Sequence, residues 1–181
     1  MDHGESSYRR YLQGDEEAFA EIVKEYFDHL VFFLQRYVES YAAAQDIAMD
    51  VFAWVIVHKN RYNFSVSLKT YLFMLGRSRA LDHIKHRAKL QTVELSEASY
   101  APDPGPTPEE MVLTDERKQA VHRALESLSD EMRLAVHLTY FEELSADEVA
   151  RVLKKSRKQV YNLLYRAKHA LRTMLKEEVL L

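Results

Sequence analysis

Ser145 to Lys168 reads Ser-Ala-Asp-Glu-Val-Ala-Arg-Val-Leu-Lys-Lys-Ser-Arg-Lys-Gln-Val-Tyr-Asn-Leu-Leu-Tyr-Arg-Ala-Lys, and its capping signals decide the fold class. Ser145 with Glu148, and Ser156 with Gln159, form two capping boxes in tandem, each pairing an N-cap hydroxyl with a side chain that returns to the cap amide. Two helices therefore meet at a short corner, a helix-turn-helix. In the second of them Val160, Leu163, Leu164, Ala167 and Leu171 recur at helical spacing and give a stripe to bury against Val149, Ala150 and Val152 or Leu153. Lys158, Tyr161, Asn162, Tyr165, Arg166 and His169 fall on the opposite face. Lys154 stands near the corner, where a left-handed backbone is common and Gly costs least.

Between Arg151 and Lys176 there are nine Lys or Arg and no Asp or Glu, enough unneutralised charge to favour a phosphate backbone through counterion release. The outward Lys, Asn, Tyr and Arg also suit base edges read from a major-groove helix. Duplex DNA is the ligand this stretch points to; a merely solvated basic face is the alternative.

The chain has 181 residues, room for one domain or two small ones. Four Gly and four Pro, three of the Pro between Pro102 and Pro106, leave most of it free to be helical. No cysteine is present, so disulfides and thiolate metal sites are excluded and a reducing compartment fits. The longest apolar runs, Leu30 to Leu34 and Val51 to Val57, are too short to span a bilayer, and Met1 to Gly14 lacks a signal-peptide core. A soluble, cytoplasmic protein without membrane insertion is expected. The net charge of −3 hides a division. Residues 1–90 are neutral, residues 91–116 carry seven acids and no base, and residues 117–181 carry thirteen bases against nine acids.

From Glu16 to Val38 the apolar residues keep helical spacing and predict a long core helix. Ala42 to His58 predicts the next, with Ile47, Val51 and Val55 inward. Asp46 and Asp50 lie four apart on it and share a face with Gln45 and Met49. Two carboxylates so placed suit catalysis, metal binding or an acidic docking surface; with no His at ligand spacing, the docking surface is the stronger reading. Phe52 and Trp54 either enlarge it or belong to the core. Lys59 to Val66, Lys-Asn-Arg-Tyr-Asn-Phe-Ser-Val, predicts a loop, after which Ser67 caps a helix containing Leu68, Leu72 and Leu75. Eight bases against one acid between Lys59 and Lys89, with Tyr62, Phe64 and Tyr71 interleaved, suit a single strand, whose phosphates meet cations and whose bases meet rings. The same rings also fit a buried core. His83 and His86 beside Asp82 lack a third ligand for a metal.

Residues 91–107 are Pro-rich and acidic and predict a flexible linker. Thr107, Pro108 and Glu110 then signal a helix start. Helices are predicted over 108–127 and from Asp130 to about Glu142, the latter capped by Ser129 and burying Leu134, Leu138 and Phe141. The whole is an all-α chain of two small helical domains, 1–90 and 108–181, joined by the linker.

That order closely resembles the extracytoplasmic-function sigma factors of bacterial RNA polymerase, of the sigma-70 family, over nearly the whole chain. Gln45 to Phe52 is similar to the family segment that holds the polymerase clamp helices. Ser67 to Lys85 resembles its promoter-melting helix, and Ala124 to Arg133 with the helix-turn-helix resembles the part that reads the upstream promoter element. Tyr71 stands where the family usually has Trp, Ser78 where Asn is usual, Met49 where Gln is common, and Lys154 and Leu163 where Gly and Arg are frequent.

The resemblance implies an alternative sigma factor that is not an enzyme and needs no metal or cofactor. Its implied partners are core RNA polymerase, through the clamp helices and flap, promoter DNA, and an anti-sigma factor. Gln45, Asp46, Met49, Asp50 and Phe52 would bind polymerase. Arg157, Lys158, Gln159, Tyr161, Asn162, Tyr165 and Arg166 would read the minus-thirty-five element as duplex. Arg61, Tyr62, Asn63 and Phe64 would capture a base extruded from the minus-ten element, with Lys69, Arg77, Lys85 and Arg87 on the melted strand. A stand-alone regulator that binds duplex as a dimer is the other reading of the helix-turn-helix. An enzyme using Asp46, Asp50, His83 or His86 is a third.

Overall fold

The computed structural model describes residues 3–38, 40–93 and 116–179, and every regular element among them is helical. The chain divides into two compact units, 1–103 and 104–181. In the first unit α1 (His3–Leu12), α2 (Glu17–Leu34), α3 (Tyr41–Val57) and α4 (Leu68–Val93) pack together, with α2 in contact with each of the others. A single 3-10 turn, Lys59–Arg61, follows α3.

Local chemistry sets each end. Gly14 at φ 102° turns the chain after α1, a conformation only glycine takes freely, and the Asp15 carboxylate accepts from the Ala18 amide to start α2. Ser40 caps α3 by accepting from the Ala43 amide, and Ser67 caps α4 by accepting from the Thr70 amide. Buried Phe19, Ile22, Tyr26, Leu30, Phe33 and Leu34 of α2 meet Val51 and Val55 of α3 and Leu68, Leu72 and Phe73 of α4. Gly76 brings α4 onto α2; a Cβ there would stand 2.8 Å from Leu30 Cδ1.

The second unit holds α5 (Glu116–Glu126), α6 (Asp130–Val136), α7 (Ala146–Leu153) and α8 (Arg157–Val179), with α8 packed on all three others. Its core gathers Leu128, Leu134, Leu138, Val149, Leu153 and Val160.

Several sequence expectations need correction. α1 was not anticipated. The helix expected from Asp130 to about Glu142 changes winding after Val136: His137–Phe141 is a π turn, in which the Glu142 amide donates to the His137 carbonyl at 3.1 Å. The extra residue rotates the register, so Leu138 stays inside while Phe141 turns outward and is 59% exposed. Ser129 occupies the N-cap of α6 without a side-chain capping bond; separately, the Arg133 guanidinium donates to the Leu128 carbonyl at 3.0 Å and ties the helix to the turn before it. α4 runs to Val93, three residues into the expected linker. The remainder of that linker and the helix start at Thr107 lie outside the described residues.

Candidate functional site

At the corner of the helix-turn-helix both capping boxes form. The Ser145 amide donates to Glu148 Oε2 at 2.9 Å and the Glu148 amide to Ser145 Oγ at 3.4 Å. The Ser156 amide donates to Gln159 Oε1 at 2.7 Å and the Gln159 amide to Ser156 Oγ at 3.2 Å. Gln159 thus already spends its carbonyl on the cap. Lys154 sits between the boxes at φ 53°, ψ 46°, a left-handed C-cap. Lys154→Gly should relieve roughly 1–2 kcal/mol of left-handed strain. It also loosens the unfolded chain, by about 0.4–1 kcal/mol. A thermal melt should therefore rise modestly, and a fall would mean that the lysine side chain stabilises the corner.

On α8, Val160, Leu163 and Ala167 are buried while Leu164 and Leu171 are half-buried. Arg157, Lys158, Gln159, Tyr161, Asn162, Tyr165 and Arg166 are all exposed, on one continuous face. Arg157 is partly committed. Its guanidinium donates to the Tyr161 hydroxyl at 3.1 Å and pairs with Asp147 of α7 at 3.4 Å, and these two contacts push its pKa further up. The exposed ion pair is worth little, so an incoming phosphate can replace it cheaply. Lys155 meets Glu131 at 2.7 Å and ties the corner to α6.

In the first unit the loop 59–66 carries the second group. Arg61 and Asn63 are exposed, and Asn63 Oδ1 accepts from the Ser65 amide at 3.1 Å. Phe64 is half-buried and takes φ 59°, an outlier for a bulky residue that costs roughly 1–2 kcal/mol. Tyr62 is only 3% exposed, so its ring is not open to a base. The Tyr62 hydroxyl donates to the Val66 carbonyl at 2.7 Å, and its ring lies 4.6 Å from Phe64 and 5.0 Å from Tyr71. Burial, opposed by the nearby Arg61 charge, raises the pKa of Tyr71. Of the basic residues on α4, Lys69 and Arg77 are half-buried, whereas Lys85 and Arg87 are exposed.

The third surface is on α3. Asp46, Met49 and Asp50 are exposed and Gln45 is half-buried. Phe52, 2% exposed, faces the core instead, where Phe19 and Phe27 meet its ring. Trp54 is half-buried and stacks on His58 with centroids 4.4 Å apart. Exposed Ile56 and Val57 extend the apolar part of this face and were not singled out in the sequence, where only Val55 of the Val-Ile-Val run was placed. His83 and His86 are exposed, and no group of three metal-ligating side chains occurs among the described residues. No helix among them is long and apolar enough to cross a membrane.

Comparison with known proteins identifies the family of each unit. The family model described as Sigma-70 region 2 matches residues 22–90, and the one described as Sigma-70, region 4 matches residues 118–171. The ECF RNA polymerase sigma factor SigW of Bacillus subtilis is 26% identical over 177 residues, covering 93% of this chain and 95% of its own. The RNA polymerase sigma-H factor of Pseudomonas aeruginosa is 25% identical over 170 residues, covering 90% and 88%. In fold, the chain is similar to the sigma factor RpoE of Bartonella quintana, solved in complex with the anti-sigma factor NepR, with a TM-score of 0.65 and 17% identity over 87% of this chain and 96% of that one. A free-standing regulator would explain the helix-turn-helix but not the unit ahead of it, which matches the same family in the same order. The chain belongs to the sigma-70 family of RNA polymerase sigma factors, in its extracytoplasmic-function group, and directs core polymerase to particular promoters to initiate transcription.

Proposed function

We propose how the two units divide that activity. The first, residues 1–90, grips core polymerase and handles the melted minus-ten element, and the second, residues 108–181, reads the minus-thirty-five element as duplex. The observation that carries the proposal is the face of α8, where seven polar or basic side chains stand exposed on a helix fixed at its start by a complete capping box. Lys158, Tyr161, Asn162 and Arg166 read base edges, and Arg157 and Tyr165 hold backbone beside them.

On α3, Asp46, Met49 and Asp50, joined by Ile56 and Val57, supply a mixed acidic and apolar surface for the clamp helices. Met49 at 54% and Val57 at 75% exposure leave apolar area that a partner would bury. Phe52 supports that surface from beneath. Arg61 and Asn63 receive the unpaired base with Phe64 shaping the loop between them and the core, while Arg77, Lys85 and Arg87 follow the strand. Tyr62 has a supporting part only. We extend the proposal to the flap of the core enzyme and to an anti-sigma factor as partners of these same units.

Run-off transcription with bacterial core polymerase tests the division. Asp46→Ala with Asp50→Ala should weaken core binding about tenfold or more, as truncating charges at an interface does, without altering which promoter is chosen. Unchanged core affinity in that double variant would remove α3 from the interface.

A further inference from the structure

The helix that the sequence hid lies against the loop proposed to take the unpaired base. Gly4 lets α1 close on α2; a Cβ there would meet Tyr26 Cε2 at 2.8 Å. From this seat α1 sends three side chains to the loop 59–66. The Tyr8 hydroxyl, fully buried, donates to the Lys59 carbonyl at 2.8 Å, and burial with Tyr71 and Tyr11 nearby raises its pKa, so it stays a donor. Glu5 Oε1 stands 3.4 Å from the Tyr62 hydroxyl. The Arg9 guanidinium lies over the Phe64 ring, 4.1 Å from its centroid.

Phe64 is the residue that needs holding, because a bulky side chain at positive φ persists only where its surroundings enforce it. Arg9 covers one face of its ring, while Tyr62 and Tyr8 lie at 4.6 and 6.1 Å between centroids. Asn63, next to the strained residue, is exposed, and its Oδ1 accepts from the Ser65 amide at 3.1 Å, so its direction is tied to the backbone on both sides of Phe64.

We propose that α1 is a positioning element for base capture, with Tyr8 and Arg9 holding the left-handed backbone at Phe64 so that Asn63 and Arg61 meet the unpaired base. Neither residue touches the base. The inference rests on the assignment of loop 59–66 to the melted element.

The test uses holoenzyme assembled from the full chain and core polymerase, on a promoter selected by wild type from a randomised duplex library. Single abasic sites are walked through the melted element and the rate of open-complex formation is followed. Wild type should slow sharply at one position. Arg9→Ala should lose about two- to fivefold of that discrimination, the range of an exposed cation–π contact. Tyr8→Phe should lose about two- to tenfold, the range of one hydrogen bond, with core affinity unchanged in both. Arg9→Lys keeps a cation that can lie over the ring but not the planar stack, so its loss should fall between wild type and Arg9→Ala. A loss in Arg9→Ala that is equal at every abasic position would overturn the proposal in favour of a simple charge effect. Wild-type discrimination retained in Arg9→Ala and Tyr8→Phe would overturn it outright. A wild type indifferent to every abasic site would instead sink the assignment of the loop itself, and the positioning role with it.

Discussion

Holoenzyme carrying Asn162→Ala with Arg166→Ala should lose promoter selection while it still binds core polymerase. Both side chains are exposed on the face of α8 that carries Lys158 and Tyr161. A well-formed side-chain contact to a base edge discriminates by about 1–3 kcal/mol, so two lost contacts are worth roughly 2–6 kcal/mol. At about 1.4 kcal/mol per tenfold, selectivity should fall by a factor of roughly 30 or more. Arg157→Ala serves as the contrast, because Arg157 is assigned to the phosphate backbone. It should weaken binding to all sequences alike and lower the salt slope by about one. Competition between the selected promoter and a scrambled upstream element measures both. Selectivity retained in the double variant would move the reading face off α8.

Phe33→Ala should cost the first unit about 3–5 kcal/mol. Phe33 is fully buried on α2, its ring 4.9 Å from Phe73 of α4 and 5.3 Å from Tyr37. The loss combines the transfer of a large ring with a cavity that two rigid helices cannot close. Against native stabilities of about 5–15 kcal/mol, this is a large share. Trp54, the only tryptophan in the chain, lies on α3 in the same unit, so its fluorescence follows the unfolding of that unit in denaturant. A midpoint unmoved by the substitution would mean that α2 and α4 repack around the gap.

What the sequence made legible was local. The helix-turn-helix could be read because its caps lie three residues from their partners and its stripe repeats every turn, so Ser145, Ser156, Val160 and Ala167 each declare their place. α1 could not be read in the same way. His-Gly-Glu-Ser-Ser-Tyr-Arg-Arg-Tyr-Leu is polar, and its one fully buried large residue, Tyr8, is held by a carbonyl fifty-one residues away. Aromatic residues hid their roles for a related reason. Phe52 and Tyr62 went inside and Phe141 outside, and neither ring chemistry nor spacing distinguishes these cases before the packing partners and the π turn are known. The acidic and basic faces on α3 and α8 were visible as charge patterns, whereas the strain at Phe64 belongs to a backbone angle that no residue name records.

α4 has twenty-six residues, about 39 Å at 1.5 Å of rise per residue. Its first half is anchored by buried Leu68, Leu72, Phe73 and Ala80, but Asp82 to Lys89 are exposed to water at every position. So short a stretch would hardly hold its shape in isolation, and it borrows its nucleus from the anchored turns behind it. The outer turns therefore unzip first and rewind cheaply, which gives a charged rod stiff at its root and pliant at its tip.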